Sequence, residues 1–131
     1  MDGSENSLKS VSVALDIAVP CGAEVTGLYV IDEAELGHDY SRYAPGEIET
    51  ELRRVGTAKL DLAEKKFKEA AVSFEREIVI GIPYKAIVKM SSDYDMIVMC
   101  THGRTMLQKA FLGSVADKVI RSADCPVTTV R

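Results

Sequence analysis

The most informative stretch of this sequence is MIVMCTHGRTMLQKAFLGSV, residues 96–115. It opens with a short apolar run, too short for a helix, which predicts a strand buried on both faces of a parallel sheet. A polar turn follows at residues 101–104, and the pair Gly113-Ser114 then precedes apolar residues at helical spacing. We therefore expect a strand, a loop, and a helix whose small first residues leave N–H groups open to an anion such as phosphate.

Helices and strands are predicted to alternate along the rest of the chain. The predicted helices are one capped by Asp2 or Ser4 and ended at residues 20–22, a long one at 47–74, and a short one that starts at Pro83. The apolar stripe of the long helix consists of Ile48, Leu52, Val55, Leu62, Phe67 and Ala70.

Three further segments are predicted to be strands. They lie at residues 24–31, 75–80 and 127–130, and the polar residues 32–46 are expected to form a long loop. Alternation of strands and helices with short connections is typical of an α/β fold with an open, doubly wound parallel sheet.

Size and composition predict a single domain that spans residues 1–131. With 47% hydrophobic residues the chain can bury a core, and its net charge of −4 with no basic stripe argues against a nucleic-acid partner. No apolar run approaches the roughly 18–20 residues of a membrane span, and the polar residues 1–10 do not form a signal peptide. We therefore expect a cytoplasmic protein with no membrane partner.

The glycines of residues 103–114 carry a family resemblance. They resemble the nucleotide-binding signature of the universal stress protein family, G-x2-G-x9-G-[S/T]. Gly103, Gly113 and Ser114 stand at the second glycine, the third glycine and the hydroxyl, whereas Cys100 stands at the first glycine. Further similar segments cover nearly the whole chain, at Asp2-Gly3-Ser4 and at residues 27–32, 81–83 and 125–127.

The resemblance implies a specific sheet. The fold would be the universal stress protein type of the adenine nucleotide alpha hydrolase-like fold, with five strands in the order 3-2-1-4-5. Strand 1 is missing from this chain, because the family has an apolar strand before the turn that here begins at Met1-Asp2. An open central gap would cost about 1–3 kcal/mol for each unsatisfied buried backbone group.

Three explanations of the gap stay open. The residues of the strand exist in the gene but are absent from the recorded start of the chain, the sheet closes around four strands, or a segment of a partner chain fills the slot. We favour the first, because Met1-Asp2-Gly3-Ser4 is similar to the interior of a family member.

The resemblance also implies a function: an ATP-binding regulatory protein of the stress response. The phosphates would lie against Gly103, Gly113, Ser114 and Val115, and the base and ribose near Asp2, Val30 and Met99, with Cys100, His102 and Arg104 completing the candidate binding set. ADP or AMP are alternative ligands. Mg²⁺ or Mn²⁺ would be carried by phosphate oxygens, because no protein metal site is evident.

No catalytic residue is predicted. His102 has no visible nucleophile beside it, and the three cysteines, with no CxxC spacing, are expected to be reduced thiols. The resemblance implies a homodimer through antiparallel pairing of the last strands, Val127 to Val130. Two other functions stay open: a dimeric interaction module of the family that binds no nucleotide, and a slow ATP hydrolase.

Two site residues have alternative interpretations. The Ser114 hydroxyl can donate to phosphate or cap the last helix. If the Cys100 position needs a positive φ, a non-glycine residue costs roughly 1–2 kcal/mol there and weakens nucleotide binding.

Overall fold

The computed structural model describes residues 4–36, 46–101 and 112–131. Its helices are α1 (Glu5–Cys21), α2 (Glu33–Leu36), α3 (Glu47–Glu69), α4 (Pro83–Met90) and α5 (Ser114–Ser122), with a 3-10 turn at Ser91–Asp93. Its strands are β1 (Val25–Asp32), β2 (Phe74–Gly81), β3 (Ile97–Cys100) and β4 (Val127–Val130). The predicted α/β class is confirmed, and the strand boundaries agree with the predicted ones to within one residue.

The strands form two parallel pairs. β1 pairs with β2, Val25 opposite Phe74, and β3 pairs with β4, Ile97 opposite Val127. Helix α1 contacts α3, and α4 contacts α5, so the helices form two groups. Within the residues that the structure describes, no ladder joins the two strand pairs. The five-strand order therefore stays a prediction.

Helix α1 begins and ends where its capping residues dictate. The Ser4 hydroxyl oxygen accepts a hydrogen bond from the Ser7 N–H at 3.2 Å, which confirms Ser4 as one of the two predicted caps. At the other end Gly22 takes a left-handed φ of 60°, and its N–H bonds back to carbonyls of the last turn. Pro20 lies inside the last turn.

The core lies between α3, α1 and the β1–β2 pair. One cluster joins Phe67 to Val11, and the Phe67 ring stacks on the Phe74 ring with 5.0 Å between their centroids. A second cluster contains Tyr29, Ile31 and Leu60. These buried aromatic and aliphatic side chains supply most of the hydrophobic stabilisation.

Three predictions about α3 are wrong. Two concern its apolar stripe: Leu62 is 56% exposed, and Ala70 is exposed and follows the last helical residue. The buried positions of the helix are Gly56, Leu60, Ala63 and Phe67. The helix ends at Glu69, because Ala71 turns left-handed at φ 56° and the Val72 N–H bonds back to the Phe67 carbonyl at 2.9 Å.

Gly56 has a packing role in α3. A Cβ at that position would lie 2.4 Å from Cδ1 of Tyr29, so only glycine lets the helix approach this ring.

Two other predictions need correction. Residues 33–36 of the expected loop form α2, started by the Asp32 carboxylate, which accepts a hydrogen bond from the Ala34 N–H at 3.0 Å. Strand β3 is only half-buried along its length, and Met96, which precedes it, is 41% exposed. The reason is that α1 packs against β3, while β4 is the one strand paired with it in the described part of the chain.

Candidate functional site

The carboxyl end of β3 meets the start of α5 through one residue, Thr101. The Gly113 N–H donates to the Thr101 carbonyl oxygen at 2.8 Å, although the two residues are far apart in the sequence. Thr101 is 5% exposed, and its own N–H donates to the Val130 carbonyl at 2.9 Å. Cys100, Gly113 and their neighbours are thus brought together at one end of the β3–β4 pair.

The first turn of α5 presents N–H groups that the helix itself does not use. The first intrahelical bond runs from the Asp117 N–H to the Gly113 carbonyl at 2.9 Å, so the amides of Ser114, Val115 and Ala116 have no intrahelical acceptor. No other acceptor for these three amides occurs among the residues described. Together with the positive end of the helix dipole, they suit an anionic group.

Ser114 is the first helical residue of α5. Gly113 is the N-cap, with an extended backbone at φ −63° and ψ 147°, and it has no side chain with which to cap. The interpretation of Ser114 as a capping residue is therefore wrong. Its side chain is exposed beside the three amides, so the hydroxyl is accessible to a ligand.

Cys100 does not have the backbone conformation that would penalise a side chain. It is the last residue of β3, opposite Val130 in the ladder. Among the residues described, Ala71 is the one non-glycine residue with positive φ. The predicted strain cost of 1–2 kcal/mol therefore does not arise. What remains against nucleotide binding is the volume of a half-buried side chain.

The other predicted site residues fall into two groups. Val30 of β1 and Met99 of β3 are half-buried strand residues in different strand pairs, and Val115 is half-buried in the first turn of α5. The remaining four lie outside the described residues: Asp2, His102, Gly103 and Arg104.

Charges on α5 are balanced along its exposed side. Asp117 carries the acidic charge closest to the first turn, and its carboxylate pairs with the Arg121 guanidinium at 3.0 Å. The Lys118 ammonium lies 4.6 Å from the centroid of the Tyr84 ring, which belongs to α4. The acidic residue next to the three amides is thus partly neutralised, which favours an anion there.

Thr101 was assigned no role from the sequence beyond its place in a polar turn. A threonine directly after a strand predicted to be buried was the available signal, but its partners lie in two distant segments.

No group of three or more His, Cys, Asp or Glu residues suited to a metal ion occurs within 4–36, 46–101 and 112–131. No helix in those same ranges is long and apolar enough to cross a bilayer.

Relatives of this chain share its whole length. The family model described as "Universal stress protein family" matches residues 1–131. Universal stress protein MJ0531 of Methanocaldococcus jannaschii is 35% identical, over 99% of this chain and 78% of the relative. Universal stress protein YxiE of Bacillus subtilis is 31% identical, over 100% of this chain and 95% of the relative.

Solved structures show the same fold. A universal stress protein in complex with cAMP superposes with a TM-score of 0.74 at 24% identity, over 100% of this chain and 92% of that one. The universal stress protein from Archaeoglobus fulgidus in complex with dAMP gives a TM-score of 0.66 at 20% identity, over 98% and 90%. With the full-length family match and the sequence relatives, the conclusion is direct: this chain belongs to the universal stress protein family.

Proposed function

We propose that this chain is a regulatory protein of the stress response that binds an adenine nucleotide at the first turn of α5, and that this nucleotide is ATP. The observation that carries the proposal is the 2.8 Å hydrogen bond from the Gly113 N–H to the Thr101 carbonyl. This bond holds the first turn of α5, whose first three amides have no intrahelical acceptor, against the carboxyl end of β3, where open α/β sheets bind ligands. The cAMP and dAMP complexes of related proteins support an adenine base with a phosphate.

Each part of the ligand has a proposed partner. The phosphates accept hydrogen bonds from the amides of Ser114, Val115 and Ala116 and from the Ser114 hydroxyl. The adenine and ribose lie between Val30 and Met99, whose apolar side chains suit a base. Mg²⁺ or Mn²⁺ is bound through phosphate oxygens. The proposed site also includes Cys100 at its edge and the four residues outside the described ranges, Asp2, His102, Gly103 and Arg104.

We also propose that the two strand pairs belong to one parallel sheet of a single domain, residues 1–131. A further strand between β1 and β3 gives the order β2, β1, further strand, β3, β4. This is the order 3-2-1-4-5 when the further strand is counted as strand 1. Support comes from α4, which packs against β1 and β2 on one side and against α5 on another. Each of β1 and β3 also has one paired neighbour in the described part of the chain, which leaves an edge for such a strand.

A homodimer through β4 is part of the proposal. The Pro126 and Val130 carbonyls accept hydrogen bonds from Ile97 and Thr101, so they point toward β3. Backbone direction alternates along a strand, so the N–H and C=O groups of Val127 and Thr129 point to the opposite, outer edge. That edge carries no charged side chain between residues 127 and 130. A second copy in antiparallel orientation would satisfy these groups.

The cytoplasmic location stays a prediction.

A charge placed in the first turn of α5 tests nucleotide binding. Ser114→Asp puts a carboxylate among the three amides, where it repels phosphate, and we expect ATP affinity measured by calorimetry to fall at least about tenfold, or 1.4 kcal/mol. The variant should fold normally, because an acidic residue in the first helical turn is favourable by about 0.3–1 kcal/mol.

Ser92→Asp is the matched control. Ser92 is exposed in the turn that precedes β3, at the other end of that strand, and receives the same charge. Its ATP affinity should stay within about twofold of the wild type, since screening weakens charges beyond about 8–10 Å. Equal affinities for the wild type and Ser114→Asp would refute the site.

A further inference from the structure

Thr101 joins three elements with its backbone and side chain. Its N–H and its hydroxyl both donate to the Val130 carbonyl, at 2.9 Å and 3.3 Å, and its carbonyl accepts from the Gly113 N–H at 2.8 Å. It is 5% exposed, so these bonds are shielded from water. The end of β4 is therefore connected to the N-cap of α5 through a single buried residue.

This connection runs between the two surfaces to which the proposed function assigns binding. On one side, Val130 ends the strand whose outer edge is offered to a second copy. On the other side, Gly113 precedes the three amides that would contact phosphate. Any shift of the β4 end moves the acceptor of two Thr101 bonds, and Thr101 in turn holds the amide that begins α5.

A contrast between strands β2 and β4 indicates that a second copy of the chain covers the outer edge of β4. Strand β2 carries Glu75, Arg76 and Glu77 in exposed positions, and such charges deter pairing with another chain. Strand β4 is Val-Thr-Thr-Val and has no such protection. A two-fold pair of β4 strands is the arrangement in which each copy satisfies the other.

We propose that Thr101 is a positioning residue that links nucleotide binding at α5 to pairing of β4 with a second copy of this chain. The inference rests on the proposed function and extends it. Pairing fixes the end of β4, and the Thr101 bonds then hold Gly113 and the first turn of α5 in place. A pre-ordered set of amides loses less entropy when the phosphate binds, so the dimer binds nucleotide more tightly than the monomer.

Thermodynamic linkage makes the proposal measurable in both directions. Because each copy has one nucleotide site, nucleotide bound at both sites must strengthen the dimer by the square of the factor by which dimerisation strengthens nucleotide binding at each site. The experiment is sedimentation equilibrium with and without saturating ATP, on the wild type and two variants. Thr101→Val removes the hydroxyl and keeps the backbone bonds, while Thr101→Ser keeps the hydroxyl. We expect ATP to lower the dimer dissociation constant about fivefold or more in the wild type and in Thr101→Ser. In Thr101→Val the factor should drop below about twofold.

A second comparison is independent of the Thr101 variants. Thr129→Pro removes an outward N–H and should give a monomer. Its ATP affinity by calorimetry should be weaker than that of the wild-type dimer by the square root of the factor by which ATP strengthens the dimer. Equal ATP affinity in monomer and dimer, or equal linkage in Thr101→Val and the wild type, would overturn the role of Thr101 and leave the nucleotide site standing. Absence of ATP binding in every form would instead remove the site itself, and the linkage with it.

Discussion

Two left-handed residues end the long helices next to the amino ends of β1 and β2. Gly22 follows α1 with φ 60°, and Ala71 follows α3 with φ 56°. Glycine adopts this conformation without steric cost, whereas an alanine is strained in it. Sequence reasoning located the end of α1 from its glycine, and it extended α3 too far because an alanine gives no signal of a left-handed turn.

These two positions give opposite predictions for stability. Ala71→Gly should raise the free energy of unfolding by about 0.5–1 kcal/mol, because relief of roughly 1–2 kcal/mol of strain exceeds the entropy that glycine adds to the unfolded chain. Gly22→Ala should lower it by about 1 kcal/mol. No atom lies within 4 Å of a Cβ built at Gly22, so that loss is conformational. Urea unfolding measures both; destabilisation by Ala71→Gly would contradict this explanation.

Strand β4 shows, at the level of elements, which features a local sequence pattern predicts and which it does not. Its boundaries were predicted from the sequence, because four β-branched residues follow a turn with Pro126. Which edge of it faces outward was not predictable, because this depends on the register with β3. The half-exposure of β3 was missed for a similar reason: an apolar run predicts a buried strand, and burial depends on which neighbours cover it.

The outer edge of β4 is tested by removing one donor. Thr129→Pro deletes an N–H that points away from β3, and proline is tolerated on an edge strand in this orientation. We expect light scattering after size exclusion to show a monomer, while unfolding stays cooperative. Thr129→Val, which keeps the N–H, should remain dimeric. A Thr129→Pro protein that stays dimeric would show that the copies associate through another surface.

The whole molecule combines a predictable framework with contacts that the sequence does not reveal. The alternation of helices and strands predicted the fold class, and Gly113-Ser114 followed by apolar residues at helical spacing predicted the start of α5. Thr101 escaped prediction because its Gly113 and Val130 partners are brought to it by the tertiary fold. A strain cost was assigned to Cys100 on the assumption that its φ is positive. Cys100 ends β3 in an extended conformation, so this cost does not arise.

The central claim is that the first turn of α5 binds the phosphates of an adenine nucleotide. The most direct test is a titration of the isotope-labelled protein with ATP, followed by the amide resonances in two-dimensional NMR. We predict that the resonances of Ser114, Val115 and Ala116 shift in a saturable way, because their N–H groups become donors to phosphate. Those of Gly22 and Ala71, at the amino ends of β1 and β2, should stay in place. If millimolar ATP leaves the three α5 resonances unmoved, the claim is wrong.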